Sequence, residues 1–198
     1  NILIGNVTNN SNITMNGGNI IINNSNFGNA NITSTLKGLS MASSEADSLT
    51  VSGQGNVLIY DTIVNNDLKI MNNDGVALVG DYVGGNTTVE NVANVYIKSS
   101  DSESSSELFD ELTANLNPAN SYNSWKYSDE DFSSKTYDGN KNSVFMCKLN
   151  INNAQGTEIV DTVVIGDVTI NNVSENAEII NSYVGGNITE NNINGDKS

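Results

Sequence analysis

The segment Glu158-Ile159-Val160-Asp161-Thr162-Val163-Val164-Ile165-Gly166-Asp167-Val168-Thr169 returns twenty residues later, without a gap, as Glu178-Ile179-Ile180-Asn181-Ser182-Tyr183-Val184-Gly185-Gly186-Asn187-Ile188-Thr189. A third version begins at Leu58-Ile59-Tyr60-Asp61-Thr62, and a fourth centres on Tyr82-Val83-Gly84-Gly85-Asn86. A fixed period of this length constrains the fold before any local propensity is weighed. A unit this short cannot bury an apolar face alone and must stack on its neighbours.

The Asn or Asp of the Gly-Asn/Asp step serves as a marker. The series is Asn6, Asn29, Ser48, Asp67, Asn86, Lys148, Asp167 and Asn187, at intervals of 23, 19, 19, 19, 62, 19 and 20. The residue after each marker is Val7, Ala30, Leu49, Leu68, Thr87, Leu149, Val168 or Ile188. Three after it stand Asn9, Ile32, Val51, Ile70, Val89, Ile151, Ile170 and Glu190. These two columns are mainly aliphatic and lie two apart, so both face inward along one strand. The column between them is polar and faces out. The expected fold is therefore all-β: a right-handed parallel β-helix, or solenoid, of about eight 19–20-residue coils. At the usual strand spacing the rod is about 35 to 40 Å long. The glycines before the markers, at Gly5, Gly28, Gly85, Gly166 and Gly186, read as corner residues.

Asn is the compositional counterpart of that repeat, with 37 of 198 residues. It tolerates the left-handed conformation that sharp corners demand, and its amide can bond the equivalent amide of the next coil. The sequons at Asn12, Asn31 and Asn187 are read as products of this Asn and Thr content rather than as glycosylation sites.

The 62-residue interval breaks the rhythm. Asn94-Val95-Tyr96-Ile97 still matches Gly75-Val76-Ala77-Leu78 at an offset of 19, and the pattern resumes at Ser143-Val144-Phe145-Met146. The organisation is thus solenoid over 1–98, an inserted acidic and aromatic loop over 99–142, and solenoid again over 143–198, as one structural domain. The spacing of Leu108, Leu112 and Leu116, with Ser105 or Ser106 as N-cap and Pro118 beyond the end, predicts a short amphipathic helix over 106–116. Tyr122, Trp125, Tyr127, Phe132 and Tyr137 follow, and Trp125 is the sole Trp of the chain. These five are the candidate binding residues, because exposed Tyr and Trp make platforms for sugar rings or protein partners. Packing against the rod is the competing role. The acidic run Asp129-Glu130-Asp131 lacks the spacing and Gly of a Ca²⁺ loop and reads as a solvated surface.

Charge narrows the partners. There are 23 acidic residues against 8 basic ones, all Lys, for a net charge of −15. Nucleic acid and anionic lipid both require cationic partners, so neither is expected. No apolar run approaches the length of a membrane-spanning helix. The single Cys147 precludes an internal disulfide. Asn1 reads as something other than a native start.

With no His there is no conventional triad, and one Cys without His offers no zinc site; no metal or other cofactor is expected. Carboxylate chemistry remains, with Asp61 and Asp81, or Asp161 and its neighbours, as candidate pairs. All of them occupy corner positions where Asn and Ser also occur, so turn roles account for them and no catalytic residue is assigned.

In its Gly-Asn-Val-Thr, Gly-Asp-Val-Thr and Gly-Asn-Ile-Thr steps at Gly5, Gly166 and Gly186, and in its 19–20-residue coil, the chain resembles the adhesin-like parallel β-helix surface proteins of microbes. It also resembles, more weakly, the bactofilins, cytoskeletal β-helices that polymerise end to end. The first resemblance implies an extracellular or cell-surface protein serving attachment or surface structure. The expected function is a non-enzymatic structural or adhesive module of a surface or filament-forming protein, contacting a glycan or a host or neighbour surface protein through the insert. The alternative is a carbohydrate-active β-helix that binds or cleaves a glycan through carboxylates. The ends are expected to be covered, by further chain or by other copies stacked end to end.

Overall fold

The computed structural model describes residues 1–99 and 142–196. Every regular element among them is a β-strand, and the strands pair in parallel. A representative coil runs Leu68–Met71, Gly75–Val79 and Tyr82–Val83 before the next begins at Thr87. These three strands belong to three walls: the marker wall, the second wall and the third wall. The chain is a parallel β-solenoid of eight coils.

Register follows side-chain alternation. In the marker wall Ile13, Ala30, Leu49, Leu68, Thr87, Leu149, Val168 and Ile188 stand in one row. The row two residues on contains Ile70, Val89, Ile151 and Ile170, all with 0% exposure. The second wall adds an inward row of Ile20, Leu39, Val57, Val76, Val95, Thr157 and Ala177. The third adds Phe27, Ala46, Val64, Val83, Phe145 and Val164. The inward rows of the three walls meet in one continuous apolar cluster.

The insertion interrupts the sequence of the stack without interrupting the stack. Thr87 pairs with Leu149, Ile97 with Ile159 and Val83 with Phe145, each across the 62-residue gap. The Lys98 carbonyl accepts from Ser143 Oγ at 2.8 Å. In other coils a single corner residue, such as Asp61 or Gly80, fills the position between such partners. The insert therefore leaves the wall at one corner.

One expectation is corrected. The first marker is Asn12, not Asn6, because Ile13 and Met15 pair with Ala30 and Ile32. Val7 and Asn9 therefore do not belong to the rows of the marker wall, although Val7 packs against the core, and Gly5, which pairs with Asn23, does not precede a marker. The apolar strand Ile2-Leu3-Ile4 decides the matter by pairing with Ile20-Ile21-Ile22. That places Asn6 at the next corner, with φ 58°.

The Asn content has two structural explanations. Left-handed backbone recurs at two corners: Asn6, Asn24, Ser43, Asp61, Asp161 and Asn181 at one, and, from the fifth-last coil onward, Asn72, Asn91, Asn153, Asn172 and Asn192 at the other. At the second corner the amides form a ladder. Asn91 Nδ2 donates to Asn72 Oδ1 at 3.2 Å, Asn153 to Asn91 at 2.9 Å, Asn172 to Asn153 at 3.0 Å and Asn192 to Asn172 at 2.8 Å. Markers do something else. Their side-chain oxygen accepts the backbone N–H of the next marker, as Asn12 does from Asn29 (2.9 Å), Asp67 from Asn86 (2.8 Å) and Asp167 from Asn187 (2.9 Å). A Cβ on Gly85 or Gly186 would collide with the accepting oxygen of Asp67 or Asp167, which explains the Gly of the Gly-Asn step.

Cutting Ile170 to Ala should lower stability by about 2 to 5 kcal/mol, measured by urea unfolding, because its neighbours in the row are held by their own coils and cannot collapse into the cavity. A loss under about 1 kcal/mol would contradict the buried row.

Candidate functional site

Three features of the surface stand apart from a plain polar wall. The first is the outward side of the third wall. Ile63, Tyr82, Val144, Val163 and Tyr183 succeed one another coil by coil in register. Ile63 is 44% exposed, Tyr82 40% and Tyr183 61%. Met146 and Ile165 lie beyond the same strands, 40% and 45% exposed. Five rungs make a stripe about 19 Å long, with two tyrosines roughly 14 Å apart. Contiguous exposed apolar surface of this kind marks contact sites in soluble proteins. Its rigidity follows from the backbone ladder beneath it.

The second feature is a groove of about 470 Å³ at the second wall, lined by Asn94, Tyr96, Glu158, Glu175, Asn176 and Glu178. Tyr96 and Glu158 are adjacent outward residues of paired strands, and Glu178 follows Glu158. Lys98 crosses this surface. Its Nζ bonds Glu158 Oε1 at 3.0 Å and stands 5.6 Å from the centre of the Tyr96 ring. Lys98 is only 5% exposed, so it is a buried cation with an anionic and an aromatic partner.

The third feature is the corner between the second and third walls, where a column of small polar residues folds inward, buried in every coil but the last. It consists of Ser25, Ser44, Thr62, Asp81, Ser143, Thr162 and Ser182, the residues just after the corner. Hydroxyls donate to the carbonyl two residues back, as Ser44 does to Ala42 (2.7 Å) and Thr162 to Val160 (2.9 Å). They accept the backbone N–H of the equivalent residue one coil earlier, as Ser44 does from Ser25 (3.1 Å) and Ser182 from Thr162 (3.1 Å). Ser143 accepts from Asp81 N–H at 3.3 Å, so the column also bridges the insertion.

Asp81 is the one carboxyl in that column and is 2% exposed. Its two oxygens accept from Thr62 N–H (2.8 Å) and Val79 N–H (3.0 Å). Burial pushes its pKa well above the usual carboxylate range; the two amides oppose that shift and nearby Asp61 adds to it. Tyr60 is pushed up to about 12, by burial first and then by Asp61 and Asp81. Asp61 and Asp161 occupy left-handed corners, and Asp161 accepts from the Asn181 amide. The carboxylates singled out in the sequence thus serve the coil geometry, and Asp81 is closed to solvent.

Tyr122, Trp125, Tyr127, Phe132 and Tyr137, with the helix expected over 106–116, lie outside the described residues. The tyrosines of the third-wall stripe were missed, although Tyr82 and Tyr183 hold the same place in two of the aligned repeats. Among the described residues no group of His, Cys, Asp and Glu is arranged to hold a metal ion. No helix there is long and apolar enough to cross a membrane. No protein-family model, curated protein or solved structure matches the chain.

Asp81 sets a pH dependence whose sign can be worked out. Its folded pKa lies above the unfolded value of about 3.9, so the native state holds a proton that the unfolded chain has already lost. This contribution is fully present below about pH 4 and is lost as pH rises through the folded value. Asp81→Ser, which matches the rest of the column, should therefore flatten the fall in melting temperature between about pH 4 and pH 7 relative to the parent chain. Parallel curves for the two proteins would show that Asp81 does not titrate in this way.

Proposed function

We propose that the chain is a non-enzymatic structural or adhesive module of an extracellular surface or filament-forming protein. Its stacked coils hold a contact surface rigid. The observation that carries this reading is the exposed stripe from Ile63 to Tyr183, an apolar and aromatic row fixed in register by five coils. A net charge of −15 disfavours polyanionic partners and leaves neutral glycans or the apolar patch of a protein as the matching chemistry. In this reading the 99–142 insert, with its five aromatic residues, contributes further contact residues.

The burial of the last described coil is compatible with a further layer on it. Ile179, Val184 and Ile193 of the last coil are only partly buried, whereas Ile159, Val164 and Val173 one coil earlier are at 0–1% exposure. A further coil of the same chain or another copy would bury that rung equally, and in the second case head-to-tail stacking makes a filament.

The groove at Tyr96, Glu158 and Glu178 favours a second reading, a carbohydrate-active β-helix, since an aromatic ring beside carboxylates suits a sugar. One set of assays separates the two. On a panel of insoluble neutral polysaccharides and surface-protein extracts, the parent chain should be retained. The double substitution Tyr82→Ser with Tyr183→Ser should lose at least tenfold in affinity at unchanged melting temperature. Retention unaffected by that pair would remove the stripe from the account. Glycan depolymerisation abolished by substituting Asp61, Asp161 or Glu158 would replace the non-enzymatic reading with the second one.

A further inference from the structure

The pentapeptide Tyr-Val-Gly-Gly-Asn occurs twice, at residues 82–86 and 183–187. The copies are far apart in the chain, yet stacking sets them on one wall. Tyr82 pairs with Val144, Val144 with Val163 and Val163 with Tyr183, so three rungs, about 14 Å, separate them. Both tyrosines are exposed, and so are Asn86 and Asn187 at the corner that follows each.

The Tyr82 ring lies along the wall instead of standing off it. Its Cε1 is 3.6 Å from where a Cβ on Gly84 would be, although side chains two apart on a strand start about 7 Å from each other. No side chain of residue 84 can take that place, because its Cβ would collide with the Asn65 carbonyl; Gly185 is held in the same way against the Ile165 carbonyl. Between these two glycines the same column carries Met146 and Ile165, both exposed. Two aromatic ends are thus joined by an aliphatic floor.

The ribbon is narrow. Its two columns stand about 7 Å apart, so its footprint is far short of the ~800 Å² per partner that a stable protein complex covers. An extended peptide gains affinity by bonding to an open sheet edge. Here the backbone is already bonded coil to coil, as Gly84 N–H is to Val64 O and Gly185 N–H to Val164 O, both at 2.8 Å. What fits is a slender polymer with apolar faces and hydroxyl edges, repeating along its length so that one molecule meets both copies. The flanks restrict its charge. Asp61 and Asp161 precede the ribbon at one corner, Asp67 and Asp167 follow it at the other, and Lys148 offsets one of them. A polyanionic chain is repelled.

We infer that the third wall is a two-point platform for a neutral polysaccharide lying along the rod, with one sugar ring stacked on Tyr82 and another on Tyr183. Hydroxyls at the edges of those rings meet the Asn86 and Asn187 amides, and Met146 and Ile165 carry the units between. The inference rests on the proposed role of this wall as a contact surface and names its ligand. Two weak sites at a fixed distance on a rigid support act as one, so tight binding needs a chain that spans both.

Isothermal titration with neutral gluco-, xylo- and manno-oligosaccharides of two to six units tests this. At least one series should bind, with affinity rising at least tenfold from the two-unit to the six-unit member. Tyr82→Ser and Tyr183→Ser should each remove that gain, while Tyr82→Phe and Tyr183→Phe keep it. Binding by no series, binding that does not depend on length, or a gain that survives both Ser substitutions overturns the inference. So does an oligogalacturonate that binds as tightly as the neutral chains. If retention on surface-protein extracts still requires the two tyrosines in any of those cases, the wall remains a contact surface and only its ligand is wrong.

Discussion

In a parallel stack every backbone amide and carbonyl of one coil is completed by the coils above and below. No coil can satisfy its own hydrogen bonds or bury its own apolar residues. All else here depends on that constraint. It fixes the near-constant coil length, because one extra residue in the middle of a strand turns the inward residues that follow it in that strand outward. It also decides where extra sequence can go. The insertion enters at a corner, where the chain already leaves the wall, and the ladders close behind it through Thr87 with Leu149 and Ile97 with Ile159.

Corners are where the constraint is hardest to meet, since the chain must reverse direction sharply and still present its polar groups to the next coil. Two solutions are repeated here. Asn at a left-handed corner supplies both the backbone conformation and an amide that bonds its counterpart, as in the run from Asn72 to Asn192. Ser or Thr just after the other corner folds inward and bonds the backbone on both sides, as Ser44 and Thr162 do. Asp81 departs from the second solution. A buried carboxyl does the work of a hydroxyl there and holds its proton more tightly than an exposed one would.

The repeat made most of the fold legible. The rows from Ala30 to Val168 were readable because an aliphatic–polar–aliphatic triplet recurred against a polar background. The first coil was not, because Gly5-Asn6-Val7-Thr8 imitates a marker step while its position is set by the pairing of Ile2–Ile4 with Ile20–Ile22. The hydroxyl column was overlooked although it recurs at the same period. Ser and Thr are so common in this chain that only alignment on the corners, rather than on the markers, brings Ser25, Ser44 and Thr62 into line. The stripe was hidden for a related reason. Tyr82 and Tyr183 sit in two-residue strands, too short for alternation to show which residue faces out.

The coils on the two sides of the insertion form one cooperative stack, and amide hydrogen exchange along the chain tests this most directly. The amides of Asp81 and Thr87 bond across the seam, to Ser143 Oγ at 3.3 Å and to the Lys148 carbonyl at 2.8 Å. Both should exchange as slowly as those of Thr62 and Leu68, which make the equivalent bonds within the uninterrupted part of the stack. Fast exchange at Asp81, Thr87 and Val144, with slow exchange on either side, would mean two separate half-rods and would contradict the single solenoid described here.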